Sequence, residues 1–296
     1  MKRSWIVIML LFLVTGGAAA QDGFPRELVD DVGRKVVIHQ APQRIVSLAP
    51  SNTEILFAIG AGDQVVGVTD YCNYPAEAQQ KPKVGGFSQP NLEQIIALRP
   101  DLVLGTGMHD GVMKDLDRLG LTGIIISPET VAEVFTAIER AGFAIGRDRE
   151  AKALAESLRE RFLAVQRDVA GKDRPRVLYQ VWPDPLIVAG PGSFVDSVIT
   201  LAGGENIAGD AARGYPQFSS EMVVIRDPEV ILYPKTHGSA EMADFPLRPG
   251  WESLTAVKAN RLYSIDGDMI SRAGPRIVAA MEEVARILHP GKGDDQ

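Results

Sequence analysis

The sequence predicts an α/β protein of two similar lobes, each built on a largely parallel sheet and joined by a single long helix. Three observations carry this reading. From Arg44 onward, short β-rich runs alternate with helical stretches, the pattern of parallel strands covered by helices. One stretch, Asp148 to Val169, has neither Gly nor Pro and is dense in Ala, Leu, Glu, Arg and Lys. Two segments also recur, in the same order, in the two halves of the chain.

Taken from the start, residues 1–20 have the layout of a secretory signal peptide. Lys2 and Arg3 precede an apolar run from Trp5 to Val14, and Gly16 to Ala20 are small residues that invite cleavage near Ala20. The run is shorter than the roughly 20 residues of a membrane span. No Cys follows it, so a lipid anchor is not expected, and the mature protein is expected to be soluble outside the inner membrane. Residues 21–42 read as an N-terminal extension. Val32-Gly33-Arg34 separates two β-compatible stretches, Arg26–Asp31 and Lys35–His39, which predicts a hairpin at the edge of the first lobe.

The N-terminal lobe is expected over residues 43–146. Ile45 to Leu48 is a strand, and Ser51-Asn52-Thr53-Glu54 reads as a capping box opening a helix that stops at Gly60. Val65–Val68 is the next strand. Asn91 caps a short helix ended by Arg99-Pro100. Leu102–Leu104 and Ile124–Ile126 are strands, with helices over Val112–Leu119 and Val131–Ile145. Residues 147–171 form the linking helix. Leu154, Leu158, Phe162 and Val165 give it one apolar face, and at 1.5 Å per residue it spans about 33 Å. The C-terminal lobe follows over 172–290, with strands at Val177–Val181, Val230–Tyr233 and Arg261–Ile265 and helices at Phe194–Leu201, Glu221–Ile225 and Arg276–Leu288. Residues 291–296 are a tail. The lobes are thus Rossmann-like. The segment Glu93 to Leu104 parallels Glu221 to Leu232, each opening with Glu and placing Pro seven residues later; Ala61 to Gly67 parallels Gly203 to Gly209.

Composition excludes several functions. The net charge of −7 becomes −9 without Lys2 and Arg3, a poor balance for nucleic acid or an anionic membrane. Cys72 is the single cysteine, so no internal disulfide forms, and with no base nearby it reads as a packing residue rather than a nucleophile. There is no P-loop, nucleophile elbow or dinucleotide fingerprint, and Gly190 to Ser193 reads as a turn before a helix. His39, His109, His237 and His289 are scattered without zinc-site spacing and read as surface or loop residues, although His109 and His237 fall in loops of opposite lobes and could meet across a cleft. No enzyme chemistry is visible, no resident cofactor is implied, and a monomer is expected. Ligand sites favour inter-lobe clefts and strand ends. There the sequence places aromatics: Tyr71 and Tyr74 after one strand, Trp182 after another, and Phe87 and Tyr215, each six residues before a recurring Glu. Such rings suit a large, flat, partly apolar ligand, or they fill the core.

These residues resemble the helical-backbone class of periplasmic binding proteins, which serve ABC importers of vitamin B12, haem and iron–siderophores, and most resemble its B12-binding branch. The resemblance runs from Arg44 to Leu288. It is carried by Ser47 to Glu54, Val66 to Tyr71 with Tyr74-Pro75, Asn91 to Glu93, Gly203 to Ile207, Tyr215 to Glu221 and Arg272 to Arg276. It implies a periplasmic location and partnership with an ABC permease and its ATPase. It implies that Tyr71 contacts a corrin, that Phe87 and Tyr215 stand where B12 receptors have tryptophans, that Asp268 lies near the nucleotide loop, and that Ser51 lies on the cleft floor. It further implies that Glu93 and Glu221 dock onto arginines of the permease. Phe87 and Tyr215 are smaller than those tryptophans, and residues 21–42 look like the extension of haem and siderophore receptors. Haem would use Tyr71 or His109 as an iron ligand. A siderophore would use Arg213 or Arg272.

Overall fold

The computed structural model describes residues 23–235 and 249–291. The expected signal peptide, His237 and most of the tail lie outside the described residues. Eleven strands and eleven helices are described: β1 (Arg26–Val29), β2 (Lys35–Ile38), β3 (Ile45–Ser47), α1 (Pro50–Ala58), β4 (Val65–Val68), α2 (Ala76–Gln79), α3 (Leu92–Ala97), β5 (Leu102–Gly105), α4 (Asp110–Arg118), β6 (Gly123–Ile125), α5 (Val131–Ile145), α6 (Asp148–Val169), β7 (Arg176–Trp182), β8 (Ile187–Val188), α7 (Phe194–Leu201), β9 (Glu205–Asn206), α8 (Ser220–Arg226), β10 (Val230–Lys235), α9 (Thr255–Lys258), β11 (Leu262–Asp266), α10 (Gly267–Ser271) and α11 (Ile277–Leu288).

The two halves carry the same sheet. In the N-terminal half the order is β4-β3-β5-β6, all parallel. In the C-terminal half β9, β7, β10 and β11 pair in the same sense, again all parallel, and β8 adds an antiparallel strand beside the end of β7. The segment shared by Glu93 to Leu104 and Glu221 to Leu232 is recurring backbone, whereas Ala61 to Gly67 and Gly203 to Gly209 differ, the first a single 3-10 turn running into β4 and the second already strand at Glu205–Asn206 and turning at Ile207. Asn91 and Ser219 both cap their helices, accepting from Gln94 N–H and Met222 N–H. Arg99 and Asp227 both take left-handed φ, 45° and 41°, one residue before the proline that turns each chain into its strand. Among the described residues the chain passes from one sheet to the other once, along α6.

Side chains alternate across each sheet as the pleat requires. Ile45, Leu102 and Leu104 in one half, and Val177, Tyr179, Val230 and Leu232 in the other, face one shared core that α5, α6 and α11 complete. Val46 and Val103 face a second core belonging to the first half alone, and Leu178 and Ile231 a third belonging to the second half alone. Helix α6 buries Ala151, Ala155, Leu158 and Val165. Across its flanks Arg159 pairs with Glu139 of α5 at 2.8 Å and Arg161 with Glu282 of α11 at 2.6 Å. The turn from α5 into α6 depends on Gly142, where a Cβ would lie 2.2 Å from Ala151 Cβ and 2.9 Å from the Arg147 carbonyl.

The β1-β2 hairpin forms as expected and covers the exposed edge of β6. Asp31 N–H donates to Ile125 O at 3.1 Å, and the buried Asp30 carboxylate accepts from Ile125 N–H and from Arg34. One expectation about the fold is corrected. Helix α1 starts at Pro50 with Ala49 at its cap and no side-chain cap bond, so Ser51 and Glu54 do not form a capping box. Proline at the first helical position needs no partner for its nitrogen, and Glu54 is drawn instead to two arginines. Strands β8 and β9 and helices α2, α9 and α10 were not foreseen, being too short for a periodic signal.

Candidate functional site

In a parallel sheet the loops after the strands gather at one end. Here those loops enclose two cavities. The smaller, about 660 Å³, is lined by Ser51 after β3, Tyr71 and Phe87 after β4, Thr106 and Met108 after β5, Ser127 after β6, and Arg272 with Ser271 from the second half. The larger, about 1040 Å³, is lined by Tyr74 from the first half and by Tyr179, Tyr215, Lys235, Asp266 and Asp268 from the second. Ser271 borders both.

Between them the two halves are tied by charge. Glu54, 2 % exposed, accepts from Arg276 Nε at 2.9 Å and Nη2 at 2.8 Å, and from Arg272 Nη1 at 3.0 Å. Arg272 also donates to Asn73 Oδ1 at 2.7 Å and to the Tyr71 carbonyl at 3.2 Å, and pairs with Asp268 at 2.8 Å. Arg276 lies 4.0 Å from the centroid of the Tyr74 ring and 3.2 Å from Asp266. Asn73 Nδ2 donates to Asp268 at 2.8 Å. Low dielectric around Glu54 makes these bonds strong and an unpaired member costly.

The structure distributes the anticipated residues unevenly. Ser51, Tyr71, Phe87 and Arg272 share the smaller cavity, while Tyr215 and Asp268 belong to the larger. Phe87 and Tyr215 thus line different cavities, which meet at Ser271. Trp182 is 53 % exposed, donates its indole N–H to the Asp184 carbonyl at 3.0 Å, and lines neither cavity. Arg213 is exposed and also lines neither. Glu93 and Glu221 are exposed in the first turns of α3 and α8. A helix that precedes a parallel strand begins at the end where the strands finish, so both stand at the cavity end. Glu221 takes the Ser219 hydroxyl, whose hydrogen bond holds its carboxyl below the usual range.

Burial pushes the Tyr179 phenol upward, with Tyr215 and Asp266 adding to the shift, and pushes Tyr215 upward too. Both therefore stay protonated donors toward the larger cavity. Tyr71 is 62 % exposed and Met108 likewise. Cys72 is buried between the Thr53 and Thr69 hydroxyls, as a packing residue would be.

His109 corrects an expectation. It is not a loop residue free to reach a ligand but is 1 % exposed, with its ring bonded to Phe87 O and to Thr106. No iron ligand is available there. Among the described residues no cluster of His, Cys, Asp or Glu could hold a metal ion, and no helix is long and apolar enough to cross a membrane. The residues that sequence reasoning missed are Glu54 as a tie, Asn73, Arg276 and His109. The available signal was the Arg272/Arg276 spacing of four around Ala-Gly-Pro, a fork waiting for one buried carboxylate.

The model of the family described as "Periplasmic binding protein" matches residues 45–269. An "Uncharacterized ABC transporter substrate-binding lipoprotein" of Bacillus subtilis is 33 % identical over 90 % of this chain and 86 % of its own length. The crystal structure of a periplasmic vitamin B12 binding protein of Vibrio cholerae superposes with a TM-score of 0.74 at 29 % identity, covering 84 % of this chain and 97 % of that one. A periplasmic haem-binding protein from Pseudomonas aeruginosa superposes with a TM-score of 0.75 at 27 % identity, covering 84 % and 94 %.

Proposed function

This chain belongs to the periplasmic binding protein family, and we propose that, as the solute receptor of an ABC importer, it captures a corrinoid of the vitamin B12 type between its halves. It is a transport protein and not an enzyme. Its lobes are residues 43–146 and 172–290, with 147–171 linking them and residues 1–20 its export signal.

The observation that carries the ligand class is the lining of the smaller cavity. Five hydroxyl residues (Ser51, Ser88, Thr106, Ser127 and Ser271) surround Tyr71, Phe87 and Met108, and the one cation there among the described residues, Arg272, is spent on Glu54, Asn73, Asp268 and the Tyr71 carbonyl. Such a wall suits a broad ring rimmed with neutral amides better than a polyanionic iron chelate, which would need unspent cations. In this reading Tyr71 and Phe87 lie against the ring, Ser51 lies on the floor, Tyr215 and Asp268 receive a portion reaching into the larger cavity, and Arg272 shapes the wall between. Glu93 and Glu221 dock onto the two halves of the permease.

Haem is the second reading, favoured by the exposed Tyr71 phenol, an oxygen donor open to the smaller cavity. Titration of the purified mature protein with cyanocobalamin, cobinamide and haemin separates the two. The expected result is a sub-micromolar corrinoid complex, worth more than about 8 kcal/mol. Tight haemin binding with no heat or spectral change from either corrinoid would overturn the proposal.

A further inference from the structure

We propose that His109 is a positioning residue for the ligand: its neutral imidazole locks Phe87 to the turn that carries Met108, and this hold is released in acid. The role of the cavity wall rests on the corrinoid reading; the lock itself rests on geometry.

Three bonds define the lock. His109 Nε2 lies 2.7 Å from the Phe87 carbonyl. A carbonyl only accepts, so Nε2 carries the proton, and Nδ1 is left as the acceptor. Nδ1 then takes the Thr106 N–H at 3.0 Å, with the Thr106 hydroxyl 3.1 Å away. The imidazole and the Phe87 ring also meet nearly at right angles, at 82°, with centroids 5.3 Å apart. Phe87, Thr106 and Met108 line the same cavity. They come from loops after different strands, and His109 is the side chain that joins those loops.

The arrangement works only with a neutral ring. Protonation would put a hydrogen on Nδ1 facing the Thr106 N–H, leaving that amide without its acceptor. The new N–H could turn only to the Thr106 hydroxyl. No charged side chain among the described residues bonds to the imidazole. Its neighbour Asp110 pairs with Lys114 at 2.6 Å on the exposed side of α4. A cation at this place would therefore be buried without a carboxylate, and burial lowers the His109 pKa from its ordinary 6.5 in spite of the bonds to Phe87 and Thr106. For a depressed pKa the sign is fixed: the stabilisation is present above 6.5 and is lost as pH falls through the lower, folded-state value.

The test uses the full mature protein at pH 7.5, 6.5, 5.5 and 5.0, with cyanocobalamin as probe and deuterium exchange of residues 84–91 in the ligand-free protein as a second readout. Wild type should bind unchanged between pH 7.5 and 6.5 and weaken about tenfold by pH 5, the loss of roughly one well-made hydrogen bond. Exchange in 84–91, corrected for intrinsic rates, should rise over the same interval while α6 stays protected. His109→Gln keeps a neutral donor toward Phe87 O, so it should hold wild-type affinity within a few-fold and lose the acid response. His109→Ala should be weak at every pH. Affinity and exchange that are flat down to pH 5 in wild type, or an acid loss kept by His109→Gln, would overturn the proposal. No cyanocobalamin binding at pH 7.5 would sink the corrinoid reading alone; the exchange profile of the wild type then decides the lock by itself.

Discussion

Arg276 grips Glu54 with two guanidinium nitrogens, at 2.9 and 2.8 Å, across 222 residues of sequence. The carboxylate belongs to α1 of the first half and the arginine to the lead-in of α11 of the second. Arg272 adds a third bond to the same carboxylate. Glu54→Gln would leave two mostly buried guanidiniums around a neutral amide. Breaking a buried pair from one side costs roughly 3–5 kcal/mol, and a value near the lower end is expected because the arginines keep Asp266 and Asp268. Denaturant unfolding of Glu54→Gln against wild type measures it. A loss under about 1 kcal/mol would show that the tie is compensated elsewhere.

Phe87→Ala and Tyr215→Ala should each weaken corrinoid binding by about 1 kcal/mol or more through lost ring contact. Because the two rings line separate cavities, their effects should add in the double variant. Calorimetric titration with cyanocobalamin and with cobinamide, which lacks the nucleotide loop, gives the check. If Tyr215 meets that appended portion, Tyr215→Ala should matter for cyanocobalamin and not for cobinamide.

The paired glutamates give a prediction about delivery rather than capture. Glu93→Arg with Glu221→Arg should leave the fold and the ligand titration nearly intact, since both side chains are exposed. Uptake should be abolished or sharply reduced, because like charges facing each other across an interface cost several kcal/mol. Normal uptake would reduce these residues to helix-start carboxylates worth a few tenths of a kcal/mol.

Gly142 tests the packing of α5 on α6. Gly142→Val puts branched carbon where Ala151 Cβ and the Arg147 carbonyl already crowd a single Cβ. Overpacking of this kind costs about 1–3 kcal/mol. Thermal unfolding should show the loss, and the companion Gly142→Val with Ala151→Gly should recover part of it.

Much of this was legible in the chain. Helix α6 announced itself by 22 residues without Gly or Pro, and the repeated half by Glu93 to Leu104 against Glu221 to Leu232, because local capping and a proline turn are written within a few residues. What failed was what depends on distance. Ser51 to Glu54 has the form of a capping box, yet Pro50 removes the need for one and the partners of Glu54 lie 218 and 222 residues away. His109 looked like a loop histidine because nothing near it in sequence shows that the Phe87 carbonyl arrives from 22 residues earlier. Strand β9 is two polar residues, Glu205 and Asn206, and exists only because β7 offers it an edge.

The shared core has a consequence for how the molecule comes apart. The inner faces of both sheets, together with α5, α6 and α11, are one contiguous apolar body. Neither half can melt without baring the surface that the other half covers, so unfolding is expected as one cooperative transition rather than two. For the same reason residues 23–146 and 147–291, expressed apart, would each display an open oily face. They would associate with each other or aggregate, but neither would stand as an independent folding unit.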